Sequence, residues 1–247
     1  MKLSVVVPLW NESGNVMALV EMMAASTLAS AGELQLILVN NGSDDDTGAL
    51  VYRAAEQYPW IVPVQLPVNF NYGGGIYEGA RHASHPHVGL LPGDLQYTAD
   101  DLACVWNEYR AHAGSMCLAK GWRTRRLDPQ STRIVSAFYT RIANRLLGTN
   151  VHDINGLPKI FPVELFDALP AERMTTFVLD AQLLFVARRL GWTITETPVT
   201  FHARRSGVSS WSGRRLRVYL RSLRQLLTVR GLANAPGVRM MRTPASK

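Results

Sequence analysis

This chain is poor in cysteine, in acidic residues and in long apolar runs. There are only two cysteines in 247 residues, Cys104 and Cys117. Their spacing fits no thiolate metal site and neither adjoins a histidine, which argues against a cysteine-ligated metal centre or a disulfide framework. The expectation is two buried, reduced thiols in a cytosolic protein. No stretch reaches the roughly 18–20 apolar residues that a spanning helix requires. Lys2 is followed at once by a strand pattern, so no signal peptide is expected. The six histidines (82, 85, 87, 112, 152 and 202) show no ligand spacing, and no linker, internal repeat or low-complexity tract interrupts the chain.

Acidic residues number 19 against 26 Lys and Arg, giving a net charge of +7. Arginines crowd 123–145 and 204–242, while acids concentrate at 44–46 and 94–101. A basic balance suits nucleic acid, anionic membrane or phosphorylated substrates. Nucleic acid is disfavoured because aromatic and basic residues do not interleave. A 47% hydrophobic, 18% charged composition is that of an ordinary globular domain.

Apolar runs alternate with helix-forming segments. Strands are expected at 3–8, 34–40, 62–67, 87–92, 115–121, 158–161 and 193–201, and helices at 13–30 (capped by Ser13), 46–57, 75–84, 99–112, 130–147 and 178–190. The first five strands are continuously apolar, which predicts a mainly parallel α/β sheet covered on both faces.

In such a sheet the loops after successive strands share one edge, where ligands bind. Four of them, 9–13, 40–47, 69–75 and 92–97, are rich in Asn, Asp, Gly or Ser. Turn chemistry explains any one of these. All four on one edge favour a phosphate- or sugar-bearing ligand. GGGIYEG (73–79) follows the third strand rather than the first, so it is no dinucleotide fingerprint. Its glycines suit close approach of a ligand or of a packed helix.

The most telling stretch is GLLPGDLQY (89–97). If it is extended, Asp94 and Gln96 project on one side and aim two oxygens just beyond a strand end. A hard cation takes few protein oxygens and keeps water and phosphate for the rest of its shell. Thr98 with Asp101 three residues later reads equally as a capped helix start.

Taken in order, VVVPLWNE (5–12), VNNGSDDDT (39–47), LLPGDLQY (90–97), KGWRTRRLDPQSTR with the helix behind it (120–147), DINGLPKIF (153–161) and the segment 177–211 resemble an inverting family 2 glycosyltransferase with the A-type nucleotide-diphospho-sugar fold. The nearest branch resembles the dolichol-phosphate mannose synthase group of polyprenyl-phosphate glycosyltransferases. The likeness runs from Val5 to about Val229. It implies one transferase domain over 1–212, with a nucleotide-sugar half (1–121) and an acceptor half (122–212). A basic amphipathic helix (213–231) and a flexible tail (232–247) would follow.

The resemblance also implies roles. Pro8, Asn11, Glu12, Asn41, Gly74, Asp94, Lys120 and Arg204 would bind the nucleotide sugar, with Glu12 near base and ribose. Asn41 stands where an Asp usually reads the base. Asp94 and Gln96 would hold magnesium or manganese. Pro92 replaces the other Asp of the usual pair, so the site has one carboxylate fewer. Arg123, Arg133, Asn155, Lys159, Arg205 and Ser209 would face acceptor or phosphate. Ser210 replaces a usual Lys. Asp45 would start a helix rather than bind ligand.

An inverting transfer is one in-line displacement at the anomeric carbon. A lipid phosphate acceptor is already ionised and requires no strong base, so positioning supplies the rate. A hydroxyl acceptor, on a glycan or small molecule, would require Asp153 or Asp180 to take its proton. The sequence leaves both open, with a non-catalytic nucleotide-sugar-binding module as a further alternative. In 214–231, Leu216, Tyr219, Leu220, Leu223, Leu226 and Leu227 form one stripe of roughly 120° opposite Arg214, Arg217, Arg221 and Arg224. That stripe suits an anionic membrane surface or the domain itself. The expected location is the cytoplasm, peripheral to the membrane face.

Overall fold

The computed structural model describes residues 1–112, 116–170, 173–204 and 215–232. Seven strands form one sheet in the order β3-β2-β1-β4-β6-β5-β7. They are β1 (Leu3–Leu9), β2 (Leu34–Asn41), β3 (Ile61–Leu66), β4 (His87–Leu90), β5 (Cys117–Arg126), β6 (Lys159–Pro162) and β7 (Thr193–Phe201). The helices are α1 (Ser13–Ala24), α2 (Thr27–Ser30), α3 (Thr47–Gln57), α4 (Asn71–Ala80), α5 (Ala99–Ala111), α6 (Gln130–Leu147), α7 (Glu164–Asp167), α8 (Leu179–Arg189) and α9 (Arg215–Gly231).

β1 lies between β2 and β4, parallel to both, with Val5 opposite Leu36 on one side and Gly89 on the other. Its Leu3, Val5, Val6, Val7 and Leu9 are fully buried. Burial on both faces explains why the sequence shows a continuous run rather than alternation. β6 is antiparallel to β4 and to β5, and β5 is parallel to β7. Every other strand therefore runs with β1, and β6 alone opposes them. The loops after β1, β2, β3, β4, β5 and β7 thus open on one rim. The segment that enters β6, residues 153–158, starts from that same rim.

Several boundaries differ from the sequence expectation. The helix expected over 13–30 is two helices, because the Ser26 hydroxyl accepts from the Ala29 N–H and starts α2 afresh. Ser13 does not cap α1; its own N–H donates to Asp45 Oδ2. The strand expected at 115–121 continues to Arg126, because β7 pairs with the basic stretch as far as Phe201. The helix expected from 75 begins at Asn71 and contains the glycine run. A Cβ on Gly73 would lie 2.3 Å from the Met174 carbonyl oxygen, and one on Gly79 2.5 Å from Val6 Cγ1. These glycines admit a helix packed tightly on the sheet and on the 174–175 segment. Cys117 is buried as expected, but Cys104 is exposed.

α5 starts with the anticipated capping box. Thr98 Oγ1 accepts from Asp101 N–H at 3.1 Å, and Asp101 Oδ2 accepts from Thr98 N–H at 2.9 Å. α9 settles onto the domain through buried Ser222, Leu226 and Val229, and Gln225 accepts from the Thr176 hydroxyl. Its apolar stripe is therefore divided, since Leu220 and Leu227 stay 53% and 57% exposed. Among the described residues no helix is long and apolar enough to cross a membrane.

Candidate functional site

The rim is organised first by side chains that bind neighbouring loops. Asn11, at a left-handed φ of 53°, donates its N–H to Ser43 Oγ and accepts from Asp44 N–H. Glu12 N–H donates to Thr47 Oγ1. Asp45 accepts from the Ser13 and Thr47 N–H groups and from the Thr47 hydroxyl, which makes it a helix-start residue as expected. These bonds lock the loop after β1 to the loop after β2. Pro8 lies near the end of β1 beneath α4, where a Cβ on Gly75 would sit 3.1 Å from its Cβ.

Asn41, 3% exposed, clamps the turn into α4. Its Nδ2 donates to the Asn71 carbonyl at 3.0 Å and to Asn69 Oδ1 at 3.3 Å, and its Oδ1 accepts from Phe70 N–H. An Asp cannot make those two donations, so the turn accounts for the amide at this position. Gly74 lies inside α4 with its N–H on the Thr175 carbonyl, where a Cβ would meet Phe70. Its smallness serves packing.

Beyond β4 the chain is not extended. Leu95 has a φ of 59°, and Asp94 Oδ1 accepts from Gln96 N–H, so a tight turn replaces the alternation assumed from the sequence. Gln96 stitches this turn to the end of β7. Its Nε2 donates to the His202 carbonyl at 3.0 Å, and His202 N–H donates back to the Gln96 carbonyl at 2.9 Å. Two residues on, Arg204 reaches over the turn. Its Nη2 lies 3.1 Å from Asp94 Oδ2 and 3.3 Å from Glu12 Oε1. Glu12 Oε2 is held by Asn15 Nδ2 at 2.5 Å. Burial is the largest influence on both carboxyls and pushes each above its ordinary range, with Arg204 pulling each back. Two hard oxygens thus converge on one nitrogen of a cation, a donor set that also suits a divalent metal. Among the described residues no group of three or more His, Cys, Asp and Glu side chains is placed to hold an ion.

The acceptor-side residues form a second cluster, sunk into the sheet. Arg123 grips Asp153 with a two-pronged contact, Nε to Oδ2 at 2.6 Å and Nη2 to Oδ1 at 2.8 Å, and also reaches Ser136. This holds Asp153 well below the usual carboxylate range despite its burial. Lys159 Nζ meets Asp180 Oδ1 at 2.9 Å with neither side chain more than 3% exposed. Burial pushes Asp180 up and Lys159 down, and their contact opposes both shifts. Lys120, fully buried, donates to Glu196 Oε1 at 3.0 Å and to the Gly121 carbonyl, and burial lowers its pKa to about 8. Glu196 also accepts from His152, whose ring stacks on Trp122 at 4.1 Å.

Lys120, Arg123 and Lys159 thus meet buried or half-buried carboxylates here, while Arg133 is exposed on α6. Arg205 and Ser209 lie outside the described residues. Sequence reasoning missed Glu196, which reads as one polar residue of an alternating strand. It also missed Tyr72 and Tyr97. Among the described residues, Tyr72 Oη and Asn155 Oδ1 are buried without a hydrogen-bond partner. The carboxylates of Asp180 and Asp94 lie near enough to Tyr72 to add to the effect of burial in raising its phenol. Tyr97 accepts from Leu157 N–H and so ties the Asp94 turn to the segment entering β6.

Comparison with known proteins places this geometry. The family model "Glycosyl transferase family 2" matches residues 4–169. The chain is 29% identical over 226 residues to a dodecaprenyl-phosphate galacturonate synthase of Rhizobium johnstonii, covering 89% of this chain and 65% of that protein. It is 24% identical over 219 residues to the bactoprenol glucosyl transferase of Shigella phage SfV, covering 87% and 68%. The chain therefore spans about two thirds of the length of these relatives. Among solved structures it resembles glucosyl-3-phosphoglycerate synthase from Mycobacterium tuberculosis. The complex with Mn2+, uridine diphosphate and glucosyl-3-phosphoglycerate superposes with a TM-score of 0.69 at 18% identity, covering 94% of this chain and 79% of that one. The uridine-diphosphate complex gives 0.71 at 20% identity, covering 95% and 82%. At such identities the likeness establishes the A-type fold. With its sheet order, its rim and the match over residues 4–169, this chain belongs to glycosyl transferase family 2.

Proposed function

We propose that this protein transfers a sugar, with inversion, from a nucleotide-sugar donor to a polyprenyl phosphate at the cytoplasmic face of a membrane. The observation that carries the donor half is the convergence of Asp94, Glu12 and Arg204 at the strand-end rim. A nucleoside diphosphate leaving group requires positive charge beside it as the bond breaks. Asp94, with Gln96 at the turn, would hold a magnesium or manganese ion, which when bound supplies part of that charge. Arg204 would supply the rest through its fork of donors. Pro8, Asn11 and Asn41 would shape the nucleotide end, and Arg133, Asn155, Arg205 and Ser209 the acceptor end.

The state of the buried carboxylates favours a phosphate nucleophile over a hydroxyl. A hydroxyl must lose its proton to a base within reach. Asp153 is locked by Arg123 and held strongly acidic. Asp180 is 2% exposed and occupied by Lys159. A lipid phosphate arrives ionised and relies on neither. The relatives named for dodecaprenyl phosphate and bactoprenol agree with that acceptor class.

The acceptor would be met at a membrane surface through α9. Leu220 and Leu227 are exposed there beside exposed Arg221, Arg224 and Arg230. α6, which packs beside α9, adds exposed Ile134 and Phe138.

Thermal shift against UDP-, GDP-, CDP- and dTDP-sugars, with and without Mn2+, tests the donor assignment. A metal-dependent rise in Tm with one base is expected, and no shift with any of them contradicts it. Co-sedimentation with anionic liposomes tests the surface assignment. The protein should pellet, and the double substitution Leu220→Glu/Leu227→Glu should release it.

A further inference from the structure

We propose that the Tyr72 hydroxyl reads one hydroxyl of the transferred sugar and so selects the sugar. This rests on the nucleotide-sugar reading, in which the sugar itself still lacks a protein contact.

Tyr72 stands in the first turn of α4, on the rim that also carries the Asp94 turn. The backbone on either side of it is pinned. The Asn71 carbonyl accepts from Asn41 Nδ2 at 3.0 Å, and Gly73 N–H donates to the Thr175 carbonyl at 2.6 Å. The ring packs, partly buried, against the core. Its Oη is buried, yet no protein group among the described residues meets it. Three other buried phenols are met by protein. Tyr77 donates to Gln182 Oε1 at 3.3 Å, Tyr97 accepts from Leu157 N–H at 3.3 Å, and Tyr109 Oη lies 2.9 Å from His87 Nδ1. A buried hydroxyl without a partner is costly. A ligand that supplies the partner removes that penalty.

The neighbours of the hydroxyl identify the partner. Both Asp94 and Asp180 act on this phenol. Asp94 marks the diphosphate end of the donor, and Asp180 lies on the acceptor side. In an in-line displacement the sugar sits between leaving group and nucleophile, so a group close to both ends faces the sugar. Asp94 is engaged by Arg204 and Asp180 by Lys159, which leaves the phenol to the ligand. Burial, then Asp180, Tyr97 and Asp94, raise the phenol, so it keeps its proton at neutral pH. The same acids disfavour a further anion such as phosphate beside it. A neutral sugar hydroxyl meets no such penalty, and it can both donate to a phenol and accept from it.

The test compares the full-length wild type with Tyr72→Phe, which keeps the ring and removes only the hydroxyl. Release of nucleoside diphosphate is followed with UDP-, GDP-, CDP- and dTDP-sugars, Mn2+ and undecaprenyl phosphate. The sugar that the wild type transfers fastest is then supplied as each of its monodeoxy forms. Wild type should prefer the parent sugar over one of these by about 10–100-fold in kcat/KM, the range for leaving one buried hydroxyl unpaired. Tyr72→Phe should lose that preference and keep the preferences at the other ring positions, because a site built to bond a hydroxyl discriminates only where it bonds. The urea midpoint should be the same in both proteins, since the Tyr72 hydroxyl has no protein partner to lose.

A variant that slows the parent and every monodeoxy form alike overturns the inference, because a phenol that only shapes the fold or holds a water gives that pattern. A lower urea midpoint in Tyr72→Phe also overturns it, by showing that the hydroxyl serves the fold. A wild type that transfers none of the sugars sinks the function reading and this inference together. Transfer by the wild type, with every preference intact in Tyr72→Phe, sinks this inference alone.

Discussion

The two halves of the rim use charge in opposite ways. On the nucleotide side, Asn11, Asn41 and Asp45 are tied to backbone N–H and carbonyl groups of neighbouring loops and Asp94 to an N–H of its own turn, and Arg204 lies 25% exposed over Asp94 and Glu12. On the acceptor side, Arg123, Lys120 and Lys159 are sealed against Asp153, Glu196 and Asp180 inside the sheet. The first arrangement leaves a cation that a ligand can recruit. The second uses its cations to tie β5 to β7 and to the segment before β6, and β6 to α8. Positive charge near the rim is therefore no guide to which residues a phosphate ligand would meet; burial and partner decide.

That contrast can be broken experimentally, most severely at the Arg123 fork. Removing one member of a buried ion pair strands the other and costs about 3–5 kcal/mol. Arg123→Ala should lose stability on that scale in urea, and Arg123→Lys should not restore it, because lysine lacks the two-pronged geometry. The same contact shows in acid. Asp153 has its pKa lowered by Arg123, so its stabilisation is complete above the unfolded carboxylate value and is lost as pH falls through the lower folded one. Wild-type stability measured by denaturation from pH 6 down to pH 2 should fall, and the fall should be shallower in Asp153→Asn.

Replacing both partners separates packing from charge. Lys159→Met with Asp180→Leu should be close to neutral in stability, while either change alone costs several kcal/mol by stranding a charge, on the order of 3–5. Equal loss in the double and single variants would show that the pair itself stabilises the sheet. On the nucleotide side the effects are smaller. Asn41→Asp removes the donors to Asn71 and Asn69 and should cost about 1–3 kcal/mol. Thr98→Ala, which empties the capping box of α5, should cost about 1 kcal/mol. Both are readable as shifts in urea midpoint at unchanged slope.

The parts of the fold that were legible in the sequence are local. Continuous apolar runs marked β1, β2 and β4, and Thr98 with Asp101 marked the start of α5. What was not legible depends on partners far along the chain. The strand expected to stop at 121 runs on through RTRR at 123–126, because β7 pairs with it. The helix expected from 75 starts at Asn71, because the Thr175 carbonyl takes two N–H groups of the glycine run and the neighbouring segments leave no room for side chains there. Lys120 finds Glu196 across 76 positions, and Arg123 finds Asp153 across 30. The salt-bridged cluster at the rim needed three separated segments, carrying Glu12, Asp94 and Arg204, to be brought together. Spacing in the sequence gave no sign that Glu12 would join Asp94.

The most direct test is incorporation of labelled sugar into polyprenyl phosphate, comparing wild type with Asp94→Asn in the presence of Mn2+. A rim that stabilises the leaving diphosphate through Asp94 predicts a rate lower by roughly 100-fold or more in the variant, the scale seen when one transition-state contact is removed. A variant that transfers sugar as fast as the wild type would contradict the account.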